Sequence, residues 1–212
     1  SSMSEHDSVT KTGTTTVALT TDDAVVAAAD RRASLGGRFV SNKDVQKIEQ
    51  VHPTAVLTMA GTVGNLQSFV RTLRAETSLY GTRRDDTISM QALATLAGNA
   101  LREGPYRADQ PTLAGVDATG PAIYDLDAAG GVVEADYVAN GSGMQVAYGV
   151  LERECEPKMS LDTARRVAAR AVDAASERDT ASGNGVTLAE ITDETVAFES
   201  YDDPAEVAEV AA

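Results

Sequence analysis

Thr14-Thr15-Thr16-Val17-Ala18-Leu19, Thr20-Thr21-Asp22-Asp23 and Ala24-Val25-Val26-Ala27-Ala28-Ala29-Asp30 decide the fold class of this chain. Two short runs of β-branched residues and alanine, Thr15 to Leu19 and Ala24 to Ala29, flank a polar turn and read as a hairpin. Residues 1–13 before it have no hydrophobic period, are rich in Ser, Thr and charge, and end in Lys11-Thr12-Gly13, which reads as a flexible leader. Further strands are expected at Arg38–Val40 and at Ala55–Ala60, the latter stopping at Gly61. Helical spacing then takes over: Val63, Leu66, Phe69, Val70 and Leu73 share one face, and Leu93, Leu96, Ala97, Ala100 and Leu101 share the next. Gly81 and the charges of Arg83 to Asp86 are expected to form a turn between the two helices. Strand signals return at Thr112–Val116, Ala122–Leu126 and Val132–Val138. A second helical pair follows, Met144–Cys155 and Leu161–Arg178, with Ser160 as N-cap of the second. Strands at Val186–Ile191 and Thr195–Phe198 close the fold, and Pro204 opens a short helix. Strands and helices arrive in blocks rather than as alternating βα units, so the class is α+β. Two helix pairs and two strand sets predict a four-layer α/β/β/α sandwich of two antiparallel sheets. The expected organisation is a leader at 1–13, a folded domain at 14–200 and an acidic C-terminal tail at 201–212.

The 212 residues are 42% hydrophobic, enough for a sizeable core, and carry 18 basic against 32 acidic side chains, a formal net charge of −14. Such a charge opposes binding to nucleic acid or to an anionic membrane and directs attention to protein and small-molecule partners. Only 4 of the basic residues are lysines, and the acidic ones are spread along the whole chain, a surface suited to high salt and to a halophilic source. One cysteine, Cys155, and two histidines, His6 and His52, leave no Cys/His cluster for zinc, and no metal or cofactor is expected. The chain has no run of about 18 apolar residues and no signal-peptide core, so a cytoplasmic location is expected. Three short motifs lead nowhere: Asn140-Gly141-Ser142 as a glycosylation sequon, Gly183-Asn184-Gly185 as a nucleotide loop, and Gly141-Ser142-Gly143 as a nucleophile elbow.

Lys11-Thr12-Gly13-Thr14-Thr15-Thr16-Val17 places a glycine directly before a hydroxyl residue that opens a strand. By itself it is only a strand of β-branched residues. It is joined, in order, by Ala29-Asp30-Arg31-Arg32-Ala33-Ser34, Lys43-Asp44-Val45-Gln46-Lys47-Ile48, Ala60-Gly61-Thr62-Val63-Gly64, Gly141-Ser142-Gly143 and Glu177-Arg178-Asp179-Thr180-Ala181-Ser182-Gly183. Together these motifs resemble the β subunits of the 20S proteasome, the archaeal type most closely, from about Gly13 to Phe198. The resemblance implies the N-terminal nucleophile hydrolase fold and an autocatalytically exposed threonine.

A threonine hydroxyl needs a base, and a chain without a well-placed histidine must find another. The α-amine of an N-terminal threonine, with a reference pKa near 8, serves, and it exists only once the leader is cut. Gly13 suits that cut by letting the backbone bend so that the Thr14 hydroxyl reaches the Gly13 carbonyl carbon. Lys47 would lower the pKa of hydroxyl and amine, with Asp30 as its carboxylate partner. Taken singly, these two are a surface lysine and a turn aspartate. Gly61 would give a backbone N–H to the tetrahedral oxyanion, and Ser142, Asp179 and Ser182 match the positions that hydrogen-bond the amine in the family.

By the same resemblance, Ala33, Val45, Met59 and Val63 would form an apolar specificity pocket with Glu49 and Gln67 nearer its rim, and Ser34 would pair with substrate backbone. Met59 favours cleavage after large hydrophobic residues. Leu35-Gly36-Gly37-Arg38 is one residue longer than the loop in some relatives, and Glu103 to Gln110 is more polar than the family pattern. The implied partners are proteasome α subunits, other β subunits in seven-membered rings, a regulatory ATPase acting through the α ring, and unfolded polypeptide substrates. Two alternatives in the same architecture are an inactive structural ring subunit with Thr14 still joined to Gly13, and the bacterial two-tier threonine peptidase, disfavoured by the longer chain and by Asp30-Arg31-Arg32.

Overall fold

A computed structural model describes residues 14–35, 38–41, 47–60, 63–84, 88–105, 110–127, 129–178 and 185–209. Five strands, β1 (Thr15–Thr20), β2 (Val25–Asp30), β10 (Tyr137–Gly141), β11 (Val186–Ile191) and β12 (Val196–Tyr201), form one antiparallel sheet in the order β10-β1-β2-β11-β12. Strands β5 (Ile48–His52), β6 (Ala55–Ala60), β7 (Gln110–Asp117), β8 (Gly120–Leu126) and β9 (Val132–Ala135) form the second, in chain order and also antiparallel. A small ribbon of β3 (Arg32–Leu35) and β4 (Arg38–Ser41) follows β2. Helices α1 (Val63–Arg84) and α2 (Met90–Glu103) pack with the second sheet, while α3 (Met144–Glu154), α4 (Leu161–Arg178) and the short α5 (Ala205–Glu209) pack with the first.

Side-chain alternation builds the layers. In β1, Val17 and Leu19 join the cluster beneath α3 and α4, while Ala18 faces the other sheet. In β2, Val26 and Ala28 do the former and Val25, Ala27 and Ala29 the latter. Strand β6 sends Ala55, Leu57 and Met59 toward α1 and α2 and Val56 between the sheets. This period of two, repeated in every central strand, is what a sheet covered on both faces requires. Alanine recurs on the inter-sheet side, where small side chains let the two sheets approach closely. The α+β class and the pair of antiparallel sheets flanked by helices are thus those expected from the sequence.

Several boundaries differ. Val132–Val138 reads as one strand but is two: β9 pairs with β8, the chain turns at Asp136, and β10 crosses to pair with β1 in the other sheet. Asp136 helps make that crossing, since its carbonyl accepts hydrogen bonds from both the backbone N–H and the hydroxyl of Thr20. Helix α1 runs through Gly81 and Arg83 rather than ending there. Strands β3 and β5 were not anticipated, and β12 extends to Tyr201. Ser160 caps α4 as expected, accepting from the Thr163 N–H at 3.1 Å, and Asp203 accepts from the Ala205 N–H at 3.0 Å at the start of α5.

Candidate active site

The hairpin β1–β2 carries Thr14 at its beginning and Asp30 at its end, and antiparallel pairing folds them together: Thr16 lies opposite Ala29. Asp30 is 1% exposed. Its Oδ1 accepts the Thr15 backbone N–H at 2.9 Å and lies 2.9 Å from the Lys47 ammonium. Lys47 sits just before β5, which carries it in from the second sheet, and is 7% exposed. A single carboxylate oxygen therefore joins the backbone immediately after Thr14 to a buried lysine. Neither charge would be tolerated here alone: an isolated buried ion costs several kcal/mol, and its partner is what compensates it.

On the opposite side of β1, β10 delivers Gly141 beside Thr15. The Ser142 N–H donates to the Thr14 carbonyl at 2.8 Å. Gly141 has φ +96°, and a Cβ placed there would stand 1.6 Å from the Thr14 oxygen, so no other residue fits this approach. A Cβ on Gly143 would stand 2.3 Å from the Thr15 hydroxyl and 2.8 Å from Ala175 of α4. Two residues before Ser142, buried Asn140 donates to the Thr112 hydroxyl at 2.7 Å and to Asp125 at 2.9 Å, fastening the first sheet to the second. Burial raises the Asp125 carboxyl above its ordinary pKa, aided by the charge of Asp127 and opposed by the bonds from Asn140 and Thr112.

The structure thus gathers Thr14, Asp30, Lys47 and Ser142 at one end of the sandwich, with Thr14 2% exposed and Ser142 at the surface. Gly13, Val45, Gly61, Asp179 and Ser182 lie outside the described residues. Ala33 and Ser34 are on β3, and Val63 is the first residue of α1. Met59 is buried in the cluster beneath α1 and α2. Glu49 is half-buried on β5, its pKa raised by burial against the pull of Arg74, and Gln67 is exposed on α1. The roles of Gly141 and Gly143 were missed at the level of sequence, although the Gly-Ser-Gly spelling was its visible trace. Among the described residues no group of three or more His, Cys, Asp or Glu is placed to hold a metal, and no helix is long and apolar enough to cross a membrane.

Two antiparallel sheets between helix layers, with Thr14 at the sandwich end, agree with the N-terminal nucleophile hydrolase fold of the proteasome. The family described as "Proteasome subunit" matches residues 10–191. The chain is 60% identical over 202 residues to the proteasome subunit beta of Halorhabdus utahensis, spanning 95% of this chain and 86% of that one. It is also 60% identical over 206 residues to the proteasome subunit beta of Natrialba magadii, with 97% and 85% covered. Against the proteasome subunit beta 2 of Haloarcula marismortui the identity is 59% over 199 residues, with 94% and 86% covered. This chain belongs to the proteasome subunit family, and the relatives named here are β subunits from halophilic archaea.

Proposed function

We propose that this protein is a proteolytic β subunit of a proteasome core and that Thr14 is its nucleophile. The observation that carries this reading is the buried Lys47–Asp30 pair, whose carboxylate also holds the Thr15 N–H, adjoining a threonine that the sequence places directly after glycine. The Thr14 hydroxyl attacks the Gly13 carbonyl carbon, the Gly13–Thr14 amide becomes an ester, and water hydrolyses that ester to leave residues 1–13 with a free carboxylate and Thr14 with a free amine. That amine then accepts the hydroxyl proton as the hydroxyl attacks a substrate carbonyl, and returns it to the leaving amine. The Lys47 charge favours the neutral amine and the alkoxide-like hydroxyl, while Asp30 keeps the lysine charged in its buried position. Gly61 donates to the oxyanion, and Ser142, Asp179 and Ser182 orient the amine. Gly13 and Thr14 are the processing residues.

The pocket of Ala33, Val45, Met59 and Val63, with Glu49 and Gln67 at the rim and Ser34 on the substrate backbone, accepts large hydrophobic side chains before the cut. The subunit works in the cytoplasm, in seven-membered β rings stacked on α rings, on polypeptides unfolded by an ATPase. The names of the relatives and the family match support assembly into such a core. Thr14→Ala, co-expressed with an α partner, tests the mechanism: the expected particle assembles, keeps residues 1–13 and cleaves no fluorogenic peptide ending in a hydrophobic residue. Residual cleavage at the wild-type rate would refute it.

A further inference from the structure

Arg31 is the first residue after β2, next to Asp30, and it leads straight into β3 with Ala33 and Ser34. Its side chain is 11% exposed, and its Nη1 donates at 2.9 Å to Oδ1 of Asp202, 171 residues away in the chain. Asp202 lies between the last residue of β12 and α5, and its side chain is 79% exposed. The segment around it is fixed from both sides. Tyr201 donates its hydroxyl proton to Glu199 at 2.7 Å and accepts from Arg165 at 3.0 Å, while Val207 of α5 is buried in the cluster beneath α4.

Register brings this segment to the candidate site. Val186 of β11 pairs with Asp30 on one side and with Tyr201 on the other, so the end of β12 is level with Asp30 and separated from it by the single strand β11. Gly185, at φ +102°, makes the seat: a Cβ there would stand 2.3 Å from the Tyr201 oxygen and 3.0 Å from the Asp202 oxygen. A guanidinium this deeply placed is held by its carboxylate. Because the carboxylate is 79% exposed, water competes for it, so what the bond supplies is the position of the guanidinium and of the backbone beside it rather than net stability.

We infer that Arg31 and Asp202 are a positioning pair that ties the Asp30–β3 junction to the C-terminal segment, so that docking of residues 202–209 sets the geometry of the Lys47–Asp30 pair. The effect on turnover rests on the peptidase reading of that pair given above. Neither residue touches the reacting atoms in this scheme, and both act through Asp30. Small displacements of positioning groups cost reaction rate far more than they cost binding.

The test uses the full chain co-assembled with α subunits, comparing wild type, Asp202→Ala and Asp202→Glu by amide hydrogen exchange over residues 25–35 and by kcat and KM on a hydrophobic fluorogenic peptide. In Asp202→Ala, exchange at 30–35 is expected to rise several-fold and kcat to fall about fivefold with KM within about twofold of wild type. Asp202→Glu recovers most of both. Unchanged exchange overturns the inference, as does raised exchange with unchanged kcat. Asp202→Asn, which keeps the size and loses the charge, repeats the comparison should the alanine variant assemble poorly. A wild-type particle with no turnover at all defeats the proposed function instead, and the exchange comparison still decides whether the pair holds the junction.

Discussion

At the Thr14 end of the sandwich, Thr14, Thr15, Asp30, Arg31 and Lys47 are each 9% exposed or less, and they are satisfied by partners from distant parts of the chain. At the other end, the turns after β1, β5, β7 and β11 keep most of their polar groups near water and satisfy them within a few residues. Thr192 accepts the Thr195 N–H at 3.2 Å, and Asp117 the N–H of Thr119 at 2.8 Å. Local hydrogen bonds near solvent are replaceable by water, so each contributes little. Buried charges joined across strands are not, and losing one strands the other. One end of the same fold therefore tolerates substitution, and the other concentrates its consequences.

Lys47→Ala should produce the largest effect. It leaves Asp30 buried without its ammonium, which costs about 3–5 kcal/mol of stability, and it lowers peptide turnover by about 100-fold or more. Urea unfolding and peptide assays on co-assembled particles read the two. Gly141→Ala follows, because its Cβ would overlap the Thr14 carbonyl and its φ is unfavourable. About 1–3 kcal/mol of strain is expected, with residues 1–13 retained on the subunit by mass spectrometry. Unimpaired processing in that variant would show that the β10 approach to Thr14 is dispensable.

At the far end, Asp117 also accepts the Met90 N–H at 2.8 Å at the start of α2, so Asp117→Ala should cost about 1 kcal/mol. Turnover should be unchanged, a contrast that sharpens the difference between the two ends. Burial raises the Asp117 carboxyl, but its bonds from Thr119, Met90 and Gly120 together outweigh this and hold the pKa below the ordinary 3.8. Its contribution is accordingly complete above pH 3.8 and lost as the pH falls through the lower folded-state value. The smallest effect belongs to His52, whose pKa burial holds below 6.5. The folded state resists taking up that proton, so stability is full above pH 6.5 and declines below it. His52→Gln should flatten this slope below pH 6.5, readable in pH-dependent thermal unfolding.

The layered fold was legible because the β-branched and apolar runs of β1, β2, β6 and β11 and the helical stripes are local signals strong enough to survive without partners. Of the candidate site, the residues that the structure brings together were singled out by local spelling at Thr14 and Gly141-Ser142-Gly143 and by a family pattern at Asp30 and Lys47. Strand β5 escaped because Glu49, Gln50 and His52 interrupt its apolar pattern. The break at Asp136 escaped because Glu134 and Asp136, set between Val133, Ala135 and Tyr137, look like ordinary alternation, and only the pairing of β9 and β10 with different sheets reveals it. The Arg31–Asp202 bond was invisible, since its partners are 171 residues apart and both are common surface residues.

The central claim, that the buried Lys47–Asp30 pair serves a threonine freed from its leader, is tested most directly by intact mass and N-terminal sequencing of the subunit taken from particles co-assembled with its α partner. The expected chain begins at Thr14 with Thr-Thr-Thr-Val. A chain that still carries Gly13 in fully assembled particles would contradict it and would favour a structural ring subunit.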